Sequence, residues 1–176
     1  MSKSPNPPRL LIVEPNKGAL SMMAQRLSDA GYRIIASDQP GAAVAELHRV
    51  PVDLVIAELR MASLSGLELA RLVRDDSVLK DTPLILIAGR SDASGAIEGF
   101  AAGADDVVAK PFDFDVLAAR VARLLARARA IKELRHDNAT LDARVVTRAI
   151  ELGEARAALK ESEAERIRLQ SMVKRA

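Results

Sequence analysis

Five short runs of leucine and β-branched residues punctuate the first two thirds of the chain: Leu10 to Val13, Arg33 to Ile35, Leu54 to Ala57, Leu84 to Ile87 and Asp106 to Ala109. They are too short for helices and mostly lack polar alternation, which marks strands covered on both faces. Between them, apolar residues recur at helical spacing over 17–30, 40–49, 66–75 and 93–102, and a fifth such stretch begins near Asp115. Strand and helix alternating in this way predict an α/β domain, a parallel sheet with right-handed crossovers and helices on both faces. In sheets of this kind, chemistry collects just past the C-terminal ends of the strands, beside a topological switch point. The residues to inspect are therefore Glu14, Pro15 and Asn16 after the first strand, Glu58 after the third, Ala88 and Gly89 after the fourth, and Lys110 and Pro111 after the fifth.

From Asp115 onward the pattern changes. There is no proline and a single glycine, Gly153, while alanine and charged residues dominate. One long helix is expected, reaching on the order of 90 Å, far more than is needed to cover a small sheet. Its excess must project or pair. A heptad frame with Ile131, Asn138, Val145, Leu152 and Leu159 at a places Leu134 and Leu141 at d, a coiled-coil seam interrupted by Arg148 and Ser162. The best stretch is Ile131 to Val145, and a lone Asn138 at a favours a parallel, in-register dimer. The division expected is a disordered lead-in over residues 1–8, a sheet domain over 9–126, and a coiled-coil helix over 127–176 continuous with the last helix of the sheet domain.

Composition narrows the function. The formal charge of +2 gives no strong case for nucleic acid or an anionic membrane, and 2% aromatic residues leave little for base stacking. Cysteine is absent, which removes disulfides, thiolate metal sites and cysteine nucleophiles and fits a reducing, cytoplasmic setting. No apolar run is long enough for a membrane span. Arg127, Arg129, Lys132 and Arg135 form a basic cluster, but acids at Glu133, Asp137 and Asp142 break the uniform block that a basic zipper would need. His136 lies beside an acid on the long helix, as a phosphoacceptor histidine would, yet it falls at an outward heptad position and reads as solvated.

The segments LLIVEPN, DLVIAELRMASLSG, PLILIAGRSD and GADDVVAKPFD, in that order and spacing, resemble the receiver domains of bacterial response regulators, the CheY-like fold. The resemblance covers roughly Pro8 to Ala126 and implies a flavodoxin-like (βα)5 doubly wound parallel sheet. It also implies an acidic pair holding magnesium after the first strand and a phosphoaccepting aspartate after the third. A Ser or Thr should follow the fourth strand, and a Lys-Pro with a cis bond the fifth. Lys110 and Pro111 fit, and Met61 and Gly66 sit where the loop after the third strand expects them. Elsewhere this chain departs: Glu14 is followed by Pro15, Glu58 takes the aspartate position, Ala88 the hydroxyl position, and Val107 the position of a switch aromatic.

Each departure has a physical consequence. Magnesium demands near-octahedral oxygen coordination, so losing one acid and lengthening another spoils the geometry, and magnesium binding is expected to be weak or absent. In-line phosphoryl transfer depends on positioning and charge neutralisation, which a displaced acceptor beside an incomplete metal site lacks. Ala88 cannot bond a phosphoryl oxygen. Glu58 reads as a resident anion paired with Lys110. The expectation is a degenerate, non-enzymatic pseudo-receiver of a two-component system, without cofactor or metal, acting as a homodimer through a parallel coiled coil upon a signalling protein partner. Two alternatives stand beside it. One is the regulatory part of an enzyme that makes or hydrolyses cyclic di-GMP, or of a kinase; the other is a receiver phosphorylated unconventionally on Glu58, Ser63 or Ser65.

Overall fold

The computed structural model describes residues 6–90 and 92–173, excluding the side chains at 93, 169, 170, 172 and 173. Its strands are β1 (Arg9–Val13), β2 (Arg33–Ser37), β3 (Leu54–Glu58), β4 (Leu84–Ala88) and β5 (Asp106–Ala109). The helices are α1 (Lys17–Asp29), α2 (Pro40–Arg49), α3 (Gly66–Asp75), α4 (Ala93–Ala101) and α5 (Phe114–Val173). All five strands are parallel, in the order β2-β1-β3-β4-β5. This is the flavodoxin-like (βα)5 arrangement, whose switch point lies between β1 and β3. Contacts divide the chain into two compact units, Met1–Arg129 and Ala130–Ala176.

The strand sequences build the core by simple alternation. Leu10, Ile12, Leu54, Ile56, Ile85 and Ile87 face α1 and the start of α5, where Leu20, Met23, Leu27, Leu117 and Val121 cover them. Leu11, Val13, Val55, Ala57, Leu84 and Leu86 face the other way, onto α2, α3 and α4. Side chains two apart share a face, so one apolar run supplies two cores. Each fully buried leucine or isoleucine contributes about 1.5–3 kcal/mol relative to exposure. Helix starts are locally encoded. Asn16 caps α1 by accepting from the Ala19 amide at 2.9 Å, Pro40 opens α2, and Ser65 with Glu68 forms a reciprocal capping box at α3.

Several details differ from the sequence expectation: β1 starts at Arg9 and β2 runs on to Ser37, in register with Val13. Glu58 and Ala88 are the last residues of their strands, because Glu58 stays in register with Ile87 and Ala88 with Ala109. α5 begins at Phe114, one residue early, with the Asp113 carboxylate accepting from the Asp115 amide at 2.7 Å. Within the expected disordered lead-in, Asn6 and Pro8 are tied to β2. The Arg33 amide donates to the Pro8 carbonyl and the Arg33 guanidinium to the Asn6 side chain, both at 2.9 Å; residues 1–5 lie outside the description.

In the second unit α5 is helical through Val173, and the large apolar side chains among its described residues are exposed. The expected seam residues Ile131, Leu134, Leu141, Val145, Leu152 and Leu159 are all among them. No helix among the described residues is long and apolar enough to cross a membrane.

Candidate functional site

Strand ends bring three charged side chains together across the switch point. Glu14 follows β1, Glu58 ends β3, and Lys110 follows β5. The Lys110 ammonium donates to Glu58 Oε2 at 2.5 Å and to Glu14 Oε2 at 2.9 Å. The second Glu14 oxygen accepts the Asn16 amide at 2.9 Å. Asn16 thus serves twice, its backbone holding the acid and its side chain capping α1. Behind the cluster the Lys110 amide donates to the Ala88 carbonyl at 2.8 Å, and the Lys110–Pro111 peptide is cis. Gly66 lets the start of α3 pack directly on the end of β3, because a Cβ there would fall 2.5 Å from the Glu58 carbonyl oxygen.

Burial sets the electrostatics. The side chains of Glu14 and Glu58 are only 4% and 13% exposed, while that of Lys110 is 35% exposed. Burial pushes the Glu58 carboxyl above the ordinary glutamate value, and the Glu14 carboxylate adds to this, against the lowering pull of Lys110. For Lys110 burial disfavours the ammonium, but the hydrogen bonds to Glu58 and Glu14 outweigh it and raise its pKa. Two acids around one base carry a net charge of −1 when fully ionised. The Lys110 ammonium is therefore firmly held, and burial makes Glu58 readier to take a proton than an ordinary glutamate.

The other positions singled out by the sequence fall around this cluster. Pro15 is exposed and brings neither a carboxylate nor an amide hydrogen. Ala88 is 1% exposed, its methyl part of the core beneath α3 and α4. Val107 packs partly buried against that same core, under Gly99 of α4. Met61 and Leu64, from the loop after β3, also pack there. Magnesium does not fit this donor set: the Glu14 oxygens are committed to Asn16 and Lys110, Glu58 is bonded to Lys110, and position 15 offers no oxygen side chain. Among the described residues no group of three or more His, Asp or Glu is placed to hold a metal ion.

Sequence reasoning missed two ionic arrangements. Arg60, just past Glu58, pairs with Asp92 at 2.8 Å and Glu98 at 3.0 Å, at the start and middle of α4. The strand-end argument that gathers Glu14, Glu58 and Lys110 does not reach these residues, which lie on a loop and a helix. The second is Asp106, buried in β5, which accepts from Arg120 of α5 at 2.8 and 2.9 Å with Arg123 at 3.5 Å. Here a signal existed, since an acid inside a buried strand requires a partner.

A doubly wound five-stranded sheet whose β1 and β3 tips present acids to a Lys-cis-Pro at the β5 tip defines the class of receiver folds. The response regulator receiver domain family matches residues 10–122, and the chain belongs to it. It is 35% identical over 127 residues to the transcriptional regulatory protein YvrH of Bacillus subtilis, covering 70% of this chain and 52% of that one. It is 33% identical over 120 residues to the two-component response regulator PhoP of Pseudomonas aeruginosa, covering 68% and 52%. The signal receiver domain of a signal transduction histidine kinase from Syntrophus aciditrophicus superposes with a TM-score of 0.64 at 30% identity, covering 68% of this chain and 90% of that one. Chemotaxis protein CheY4 of Vibrio cholerae gives 0.62 at 26% identity, covering 67% and 98%. The chain spans about half the length of the curated relatives it matches.

Proposed function

We propose that this receiver domain is a pseudo-receiver: it works in two-component signalling by binding another protein, without accepting a phosphoryl group on an aspartate. The observation that carries this reading is the closed Glu14–Lys110–Glu58 cluster. The extra methylene of Glu58 lets its carboxylate reach the lysine directly, so a resident anion takes the partner that a phosphoryl group would need. Pro15 and Ala88 withdraw the second acid and the hydroxyl, and a valine at 107 leaves no aromatic side chain to rotate. The domain is not catalytic by itself in this reading.

The presented face is the one formed by α4, β5 and the start of α5, where Ile97, Phe100 and Val116 are 74%, 53% and 49% exposed. The second unit of α5 pairs in parallel with a second copy through Ile131, Leu134, Asn138, Leu141 and Val145, continuing to Leu152 and Leu159. So long a helix draws its stability from pairing more than from propensity. A second reading is favoured by the length of the relatives: the receiver and helix act as the regulatory part of a longer response regulator whose output lies in another domain.

Intact mass after incubation with Mg²⁺ and a small acyl phosphate tests the proposal, run beside a variant carrying Glu58→Asp, Pro15→Asp and Ala88→Thr. No added phosphoryl mass on the native chain, with addition to the variant, is the expected result. Phosphorylation of the native chain on Glu58, Ser63 or Ser65 would overturn it.

A further inference from the structure

The three residues from Glu58 onward engage three different parts of the domain. Glu58 bonds to Lys110. Leu59 is fully buried and lies beneath α4, where a Cβ on Gly99 would come within 3.6 Å of its Cδ1 and 2.9 Å of Val107 Cγ2. Arg60 reaches over the same helix from outside: its Nε donates to Asp92 Oδ2 at 2.8 Å and its Nη2 to Glu98 Oε1 at 3.1 Å. Asp92 is also the N-cap of α4, accepting from the Gly95 amide at 2.9 Å and the Ser94 hydroxyl at 3.3 Å. A Cβ at position 95 would fall 2.6 Å from the Asp92 carboxyl carbon, so the glycine lets the carboxylate fold over the helix start without shifting.

α4 is therefore gripped from both sides by consecutive residues of one loop. The grip from beneath is apolar contact; the grip from outside is charge. The hydrogen bond to Asp92 holds the Arg60 guanidinium above its ordinary pKa, and the same bond holds the Asp92 carboxyl below its own. Both groups are fully ionised at neutral pH, so the pair answers to competing ions and to partners.

We propose that Arg60 is an ionic latch that fixes the N-terminal half of α4 to the loop after Glu58, holding the exposed Ile97 and Phe100 face in one position. Its regulatory meaning rests on the pseudo-receiver reading above, whereas the latch itself is a local property of the fold. With alanine at 88, no side-chain hydroxyl there ties the β4–α4 connection to the charge cluster. Arg60 instead ties the start of α4 to the loop after Glu58. A partner or anion that takes Arg60, or a cation that takes Asp92 and Glu98, would free the helix.

Hydrogen exchange followed by mass spectrometry on the full chain tests this. Arg60→Gln removes the charge and keeps a long polar side chain, while Asp92→Asn removes charge and keeps a good N-cap. Both should speed exchange across 93–101 by about threefold or more, the scale of a lost pair of exposed ion contacts, with β1 and α1 unchanged. The double variant should add little to either single one, because the two groups act through one another. About 1 M salt, where the screening length falls to about 3 Å, should accelerate α4 in the native chain but not in Arg60→Gln. Exchange of α4 within about 1.5-fold of native in both variants overturns the latch, as does a rise spread equally over the whole sheet domain. Neither outcome depends on whether the chain can be phosphorylated, which the mass measurement decides separately.

Discussion

Lys110→Met removes an ammonium and keeps most of its stem, leaving the Glu14 and Glu58 carboxylates together with side chains 4% and 13% exposed. Two such acids without a cation cannot both stay ionised cheaply. The readiest relief is to bind one proton, and Glu58, already pushed upward by burial, is the group to take it. Holding a proton at about pH 7 on a carboxyl of ordinary pKa about 4.3 costs about 3.7 kcal/mol, at about 1.36 kcal/mol per unit. That figure caps the Glu58 share of the loss. Glu14 keeps its bond from the Asn16 amide, and the one-third exposure of Lys110 means that part of the lost attraction was already screened. The net destabilisation expected near neutral pH is about 2–3 kcal/mol, below the range for breaking a deeply buried pair.

The pH dependence gives the sharper test. In the variant the folded chain binds a proton that the unfolded chain has released, so between the unfolded carboxyl pKa of about 4.3 and the raised folded value its stability increases as pH falls. Its deficit relative to the native protein should shrink to about 1 kcal/mol near pH 5. In the native protein Glu58 contributes the same slope more weakly. The raised pKa of Lys110 adds stability that is complete below about pH 10.4 and is lost as pH climbs through the folded value. Urea titrations at several pH values would measure this through Tyr32, the single tyrosine in a chain without tryptophan, which packs half-buried against the α1 and α5 face. Its emission follows the sheet domain, separate from the helical dichroism of the long α5. A deficit equal at about pH 5 and about pH 8, or one under about 0.5 kcal/mol throughout, would refute the buried two-acid account.

Gly66→Ala places a Cβ 2.5 Å from the Glu58 carbonyl oxygen and 2.8 Å from Leu86 Cδ2, so either α3 or the end of β3 must move. A loss of about 1–3 kcal/mol in the Tyr32 urea midpoint is expected even though alanine is the better helix former. Leu134→Glu with Leu141→Glu should convert a self-paired dimer to monomer in multi-angle light scattering without altering the Tyr32 transition, because both side chains lie in the second unit, 64% and 52% exposed.

How much of this was legible in the sequence depends on the range over which each feature is decided. The strands and their order of alternation were readable because continuous apolar runs between helical periods have few other uses. So were Glu14, Glu58 and Lys110 as neighbours, since a parallel sheet gathers its strand ends on one edge. The exact strand ends were not, because Glu58 and Ala88 owe their pairing to register with Ile87 and Ala109 on adjacent strands. Arg60 was invisible for the same reason at longer range: its partners lie across a crossover, on a helix whose placement depends on Gly99 meeting Val107. Asp106 announced that it needed a cation but not that Arg120 would supply it. The α5 pattern shows an apolar seam and is silent about what covers it.

The placement of Glu58, Leu59 and Arg60 makes the charge cluster and α4 mechanically contiguous. Glu58 is the last residue in register with β4, so any movement of its carboxylate away from Lys110 acts on a backbone that is still pinned by the Leu59 amide donating to the Ile87 carbonyl at 2.8 Å. Beyond that bond the chain leaves the sheet, with Met61 and Leu64 packed on the core and Arg60 ion-paired to α4. Movement at the cluster therefore reaches α4 both through Leu59 beneath it and through Arg60 outside it, and a partner pulling on α4 meets Arg60 before it meets Glu58. Under the proposed function, control runs inward from the binding face, the reverse of a phosphorylated receiver, in which a chemical event at the strand tips drives the surface. A glutamate suits that direction better than an aspartate, since its added reach fills the site with a neutralised carboxylate and leaves α4 as the element that answers to other molecules.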